Sequence, residues 1–396
     1  MASQREVVIV SGVRTAIGDY GGSLKDVAPS DLAARVVREA VARAEVDPQQ
    51  IGQCVIGNVI HSEPKDMYIS RVAAINGGLP HSSGALTVNR LCGSGMQAIV
   101  SAAQYIRLGD IDAAVGGGAE SMSRASYSIP SERWGARMGD AKVLDMMVGA
   151  LSDPFDTVHM GVTAENVAKK CEVTRDQQDA FAVESHRRAA AAIAEGRFKS
   201  QILPIEVKSR KGPVSFDTDE HVRADATLEG MAKLKAVFAK ENGTVTAGNA
   251  SGINDAAAAV VLMEAEAAKR AGAKPMARFV AYGHAGIDPK IMGLGPVSAV
   301  KSALTKAGLK LADIDVIESN EAFAAQAIAV SKELGMDPAR VNPNGGAVAL
   351  GHPIGATGCI LTIKAMYELA RTGKRYGLIT MCIGGGQGIA GIIERL

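Results

Sequence analysis

Residues 91–118 read LCGSGMQAIVSAAQYIRLGDIDAAVGGG. Glycines bracket a turn after Cys92, and helix formers run from Met96 to Leu108. A short linker and an apolar run then close on three glycines. Residues 350–386, LGHPIGATGCILTIKAMYELARTGKRYGLITMCIGGG, follow the same grammar. The segments upstream match too. Val7–Ser11 is a short β-branched run, a buried strand by composition. From 31 to 46, Leu32, Ala33, Val36, Val37, Ala40, Val41 and Ala44 fall on one helical face, with Arg35, Arg38, Glu39 and Arg43 off it. Residues 51–58 then read as a strand. In the second half, 277–286 is a strand and 297–320 a helix followed by a strand. Strand, helix, strand, glycine turn, helix, strand, triple glycine therefore occurs twice. Any α/β chain alternates in this way, but the paired glycine turns and triple-glycine ends favour duplication. Alternation predicts parallel sheets covered on both faces by helices, with ligands beyond the carboxyl ends of the strands.

The chain has 396 residues, more than one ordinary core accommodates. Residues 121–249 break the alternation with Pro130, Trp134, several methionines, a charged helix at 174–196 and the polar stretch KSRKGPVSFDTDEHVR. They read as an inserted domain, after which TVTAGNASGINDAAAAVVLM completes the first copy. The expected division is 1–120 with 250–273, then 121–249, then 274–396. Apolar residues make up 47% and charged residues 21%, with a net charge of +1, so neither nucleic acid nor an anionic membrane is expected as partner. No apolar run reaches the ~18 residues of a spanning helix. The start MASQREVVIVSG passes from charge into a strand, so a cytoplasmic location is expected. The five cysteines are scattered and form no C-x-x-C pair, so no metal site or disulfide framework is expected.

Four stretches can carry chemistry. Cys92 precedes a helix start, where unpaired N–H groups lower a thiol pKa and supply thiolate; a small packing cysteine would look the same. His352, held extended before Pro353, suits a general base or a structural histidine. Cys382 ends a strand before Gly384–Gly386, whose N–H groups can converge on an oxyanion; a buried strand cysteine with a tight turn is the bland reading. Asn320, in ESNEAFAAQ, caps a helix or orients a water. Two thiols, an imidazole, an amide and a glycine loop together suit acyl transfer through a thioester followed by carbanion chemistry.

At this point the chain resembles the thiolase family. NRLCGSG, TAGNASGIND, NEAFAAQA, NPNGGAVALGHPIGATG and CIGGGQG occur in the family's order along the whole length. The resemblance is greatest to the bacterial short-chain β-ketothiolases, including those of polyhydroxyalkanoate synthesis. It implies an α/β fold of duplicated αβαβα layers with an inserted loop domain. It implies ping-pong condensation of acetyl-CoA with a short acyl-CoA, or thiolysis of a 3-ketoacyl-CoA. Cys92 resembles the acylated nucleophile, His352 the residue that activates it, and Cys382 the acid/base. Asn320, through a water, and His352 resemble the enolate hole; the N–H groups of Cys92 and Gly384 resemble the hole for the tetrahedral intermediate. CoA contacts are implied at His159, Met160, Arg223, Phe238, Ala247 and Ser251, with Met292 and Phe323 flanking the acyl pocket. CoA and acetyl-CoA are then substrates, no cofactor is tightly bound, and the assembly is a homotetramer of two dimers. Decarboxylating condensing enzymes, which pair one cysteine with two histidines, fit less well, as do non-catalytic acyl-CoA binders and cysteine hydrolases.

Overall fold

The computed structural model describes residues 5–209 and 212–396; residues 210 and 211, inside the polar stretch noted above, lie outside it. Nine strands form the path of the main sheet. In chain order they are β1 (Val7–Thr15), β2 (Gln53–Gly57), β3 (Gly84–Val88), β4 (Ala113–Ser121), β5 (Asn254–Glu264), β6 (Ala277–Gly286), β7 (Val316–Ser319), β8 (Tyr376–Ile383) and β9 (Gln387–Arg395). Their spatial order is β7-β8-β9-β6-β1-β5-β4-β2-β3. Read outward from the central β6/β1 pair, the halves match: β6-β9-β8-β7 on one side and β1-β5-β4-β2 on the other. The first half ends on β3. The second has a single parallel bridge there, between Ile317 and Val341. The duplication is therefore one of strand order, not only of motif.

The expectation of parallel sheets is corrected. β2 pairs in parallel with β3 and β4, and β7 with β8, but β1–β5, β4–β5, β1–β6, β6–β9 and β8–β9 are antiparallel. The reason is visible at β8–β9. Gly385 and Gly386, at φ 79° and 85°, reverse the chain in a tight turn, so β9 runs back along β8. In the first half the chain leaves at the same place for residues 122–253 and returns to pair β5 against β4 in the same sense.

The reading of two matching triple-glycine ends is also corrected. Gly384–Gly386 is that turn, whereas Gly116–Gly118 lies inside β4. The glycines of β4 serve close approach: a Cβ on Gly118 would stand 2.1 Å from the Gly355 carbonyl oxygen.

Helices α1 (Pro29–Ala44), α2 (Ser94–Leu108), α5 (Gly295–Ala307) and α7 (Thr357–Thr372) pack on the strands, while α3 (Met160–Lys170), α4 (Arg175–Ala194) and α6 (Ala324–Leu334) pack on other helical segments. The face of α1 read from the sequence is the buried one. α4 starts at a reciprocal cap between Thr174 and Gln177, as a helix this charged on its outer face requires. α2 and α7 meet at their first turns. A Cβ on Gly95 would lie 2.8 Å from the Cys359 nitrogen, and one on Gly358 2.2 Å from the Met96 nitrogen. Met96, Ile99 and Val100 of α2 are fully buried there. Each such side chain contributes about 1.5–3 kcal/mol by leaving water. The loops that enter α2 and α7 are those of Cys92 and His352, so the contact between helix starts sets the two side by side.

Candidate active site

Leu91 adopts φ 47°, a left-handed backbone unusual for a branched side chain. Local hydrogen bonds hold it. The Asn89 side chain accepts from Leu91 N–H (3.0 Å), and Ser94 Oγ accepts from Arg90 N–H (2.8 Å) and donates to the Leu91 carbonyl (2.7 Å). The bend turns Cys92 into a cavity of about 420 Å³. Gly93 is needed behind it, since a Cβ would stand 2.6 Å from Ile383 Cδ1.

Cys92 is half-buried, and burial pushes its thiol up to about 11. The N–H of Gly384 and its own N–H oppose that rise, while the carboxylate of Glu120 adds to it. The expectation of a lowered pKa is therefore corrected. α2 begins two residues later, at Ser94, and its dipole does not offset the loss of water around the sulfur.

Cys382, at the end of β8, is fully buried among Met160, Met292 and Phe323. Burial raises its thiol strongly, and the nearby Cys92 raises it further. Each sulfur thus disfavours a second negative charge on the other.

His352 is buried, and desolvation brings it down to about 4, so the ring is neutral at pH 7. Its Nδ1 lies 2.7 Å from Thr357 Oγ1. That hydroxyl donates to the Pro353 carbonyl (2.9 Å), which leaves its oxygen to accept from Nδ1–H. Nε2 then carries the lone pair and accepts from Asn320 Nδ2 (3.4 Å). His352 N–H donates to Asn254 Oδ1 (2.9 Å), which sets the loop against β5. Asn320 is fixed by its own N–H on the Thr380 carbonyl (2.9 Å). Its Oδ1 is buried without a partner among the described residues, an acceptor suited to a water. The cap reading of Asn320 does not apply, since α6 begins after Phe323.

His159, Met160, Phe238, Ala247, Ser251, Met292 and Phe323 line the same cavity as Cys92, His352 and Gly384. His159 precedes α3, accepts from Gly161 N–H (3.0 Å) and stacks on Phe238 with ring centres 4.7 Å apart. Phe238 meets Phe323 edge-on at 6.4 Å. Cys382 and Asn320 stand behind the wall, against its lining. Arg223 is not in this cavity. It is exposed in an adjoining recess of about 300 Å³ with His186 and His221, its guanidinium 3.5 Å from the Asp19 carboxylate. The recesses share His221 and Ala247. Sequence reasoning missed Thr357 and Asn254 as positioning groups, although both lie inside quoted motifs. It also missed Asp19 and Tyr20 at the cavity wall, which carry no local signal.

The model of the thiolase N-terminal domain matches residues 7–266, and that of the thiolase C-terminal domain matches residues 273–395. Beta-ketothiolase BktB of Cupriavidus necator is 68% identical over 392 residues, spanning 99% of this chain and 100% of that protein. An acetyl-CoA acetyltransferase of Pseudomonas aeruginosa is 50% identical over 393 residues, spanning 99% of this chain and 100% of its own. A crystal structure of human mitochondrial 3-ketoacyl-CoA thiolase in complex with CoA superposes with a TM-score of 0.97 at 43% identity, covering 100% of this chain and 99% of that one. With both domain models matched in order across the chain and relatives aligned end to end, the protein belongs to the thiolase family.

Proposed function

We propose that the protein is an acyl-CoA C-acyltransferase of the β-ketothiolase type. It joins acetyl-CoA to a short acyl-CoA, or splits a 3-ketoacyl-CoA with CoA, through an acyl-cysteine. The observation that carries this is one thiol and a neutral imidazole lining an apolar cavity, with a second thiol buried against that lining.

Cys92 passes its proton to His352 Nε2, and its sulfur attacks the acyl-CoA carbonyl. The oxyanion takes hydrogen bonds from the N–H groups of Cys92 and Gly384. The C–S bond to CoA breaks, and the departing thiolate takes the Cys382 proton. Acetyl-CoA enters, and the Cys382 thiolate removes a methyl proton. A thiol raised this strongly is a strong base once ionised, which a weakly acidic α-carbon requires. The enolate is held by protonated His352 and by Asn320 through a water. Its carbon attacks the acyl-Cys92 carbonyl, and Cys92 leaves to recover its proton from His352. Both thiols and the imidazole return to their starting states.

His159, Met160, Phe238, Ala247 and Ser251 fit the pantetheine arm of CoA in an apolar channel, with Arg223 at its outer end for a phosphate. Met292 and Phe323 bound the acyl group. CoA and its esters are then the substrates the reaction needs. The domain plan in this reading is 1–120 with 250–273, a CoA-binding loop domain at 121–249, and 274–396. We place the protein in the cytoplasm, where five free thiols stay reduced; among the described residues no helix is long and apolar enough to cross a membrane. We assign a homotetramer of two dimers with the 123–140 segment as a contact, because Trp134 is 88% and Met138 97% exposed.

The test is incubation with acetyl-CoA alone. Acetoacetyl-CoA and free CoA in equal amounts support the proposal. Acetate and CoA would make the protein a hydrolase.

A further inference from the structure

Glu120, the last residue but one of β4, is fully buried, and the scheme above gives it no part. Its Oε2 accepts from the N–H groups of Val59 (3.1 Å) and Gly355 (2.9 Å). Its Oε1 accepts from Ile60 N–H (3.1 Å) and Asn58 Nδ2 (3.1 Å). Two donors converge on each oxygen, and they come from distant stretches. Residues 58–60 follow β2 in the first half, whereas Gly355 belongs to the His352 loop in the second. Gly355 has no room for a side chain, since a Cβ would lie 2.6 Å from Glu120 Oε2. What these donors anchor is the cavity wall: Ile60, Met122 and Ile354 pack as one group with Cys92 against it.

We infer that Glu120 is a positioning residue for the reaction: its carboxylate clamps the His352 loop to the Cys92 side of the cavity, so that nucleophile and base keep one separation. The inference rests on the assignment of Cys92 and His352 to the chemistry. The titratable groups that face the carboxylate are Asp255, on β5, and the Cys92 thiol; His352 and Cys382 complete those around Cys92. Burial raises Glu120 to about 8, below the value near 11 at which Cys92 ionises. Above about pH 8 Glu120 therefore carries charge, and that charge opposes the ionisation of Cys92.

Glu120→Gln tests the clamp. Whichever way the new amide turns, its NH₂ meets two N–H donors. A displaced reacting pair is expected to lower kcat roughly 10- to 100-fold. KM for acetoacetyl-CoA stays near the wild-type value, because the CoA contacts are elsewhere. The midpoint of Cys92 alkylation by iodoacetamide moves to lower pH, because the opposing charge is gone. Glu120→Asp keeps the charge and shortens the reach, so kcat falls while the alkylation midpoint stays. Intact mass after mixing with acetoacetyl-CoA without CoA reads the underlying assignment separately: no adduct on wild-type Cys92 sinks that assignment, not the clamp. Wild-type kcat in folded Glu120→Gln protein overturns the clamp, as does an unmoved alkylation midpoint in that variant. If Glu120→Gln does not fold, wild-type kcat in folded Glu120→Asp overturns it. Failure of both variants to fold makes Glu120 a folding residue and overturns it equally.

Discussion

Cys92 lines the cavity and Cys382 lies behind its wall, and the two are held by opposite kinds of backbone. Cys92 sits on a bent loop, half-exposed, with a left-handed residue before it and N–H groups of its own and of Gly384 at the sulfur. Cys382 sits on a regular strand, sealed behind Met160, Met292 and Phe323, with little but apolar side chains around it. The loop suits a sulfur that must bond to an incoming carbonyl and be stabilised as it does so. The sealed strand suits a sulfur that only exchanges a proton and gains basicity from the absence of water. Two chemically identical side chains thus take different work from their surroundings.

The comparison breaks first at the nucleophile. Cys92→Ala removes the acyl adduct formed on mixing with acetoacetyl-CoA and lowers thiolysis on the order of 10⁴-fold or more. An adduct that survives on Cys382, seen by intact mass and peptide mapping, would merge the two roles. Cys382→Ala is the converse. The adduct on Cys92 still forms, while condensation falls about 10²–10⁴-fold, as loss of a positioned acid/base does. Loss of the adduct as well would show that Cys382 is needed earlier than the carbon–carbon step. Asn320→Ala sharpens the second half of the comparison. Condensation is expected to fall about 10²–10³-fold, as for loss of one oxyanion donor, measured against acylation in the same variant. The smallest effect is the titration of the free protein. The Cys92 pKa is raised from the usual 9.0 to about 11, so the thiolate fraction grows as pH rises towards 11. Alkylation by iodoacetamide therefore accelerates about tenfold per pH unit through pH 8–10. A plateau at neutral pH would mean that His352 already holds the proton in the resting protein.

The elements most legible in the sequence were those whose periodicity is local. The face of α1, the span of α4 and the matched runs of α2 and α7 follow from residue spacing alone. The sense of the sheet was not legible. In the first half it depends on where the chain returns after residues 122–253, which no local pattern records; in the second, the glycine turn that reverses β8 into β9 reads in the sequence as a strand end. Gly116–Gly118 misled for a related reason: a triple glycine at a turn and one under a crossing loop have the same letters. At the site, the residue types were legible and their state was not. A helix start after Cys92 argues for a low pKa until burial is known. The part played by Thr357 rests on one hydroxyl that fixes which ring nitrogen of His352 carries hydrogen, and such a choice is made by three-dimensional neighbours.

The meeting of α2 and α7 at their first turns has one more consequence. Gly95 faces the start of α7 as Gly358 faces the start of α2, so each half offers the other the same kind of surface. Self-complementary contacts of this sort are what a twofold pair of identical subunits makes. Because the halves are one chain, the two sides of this contact need not be alike: Cys92 stands at one helix start and His352 at the other, so a symmetric seam carries an asymmetric set of side chains.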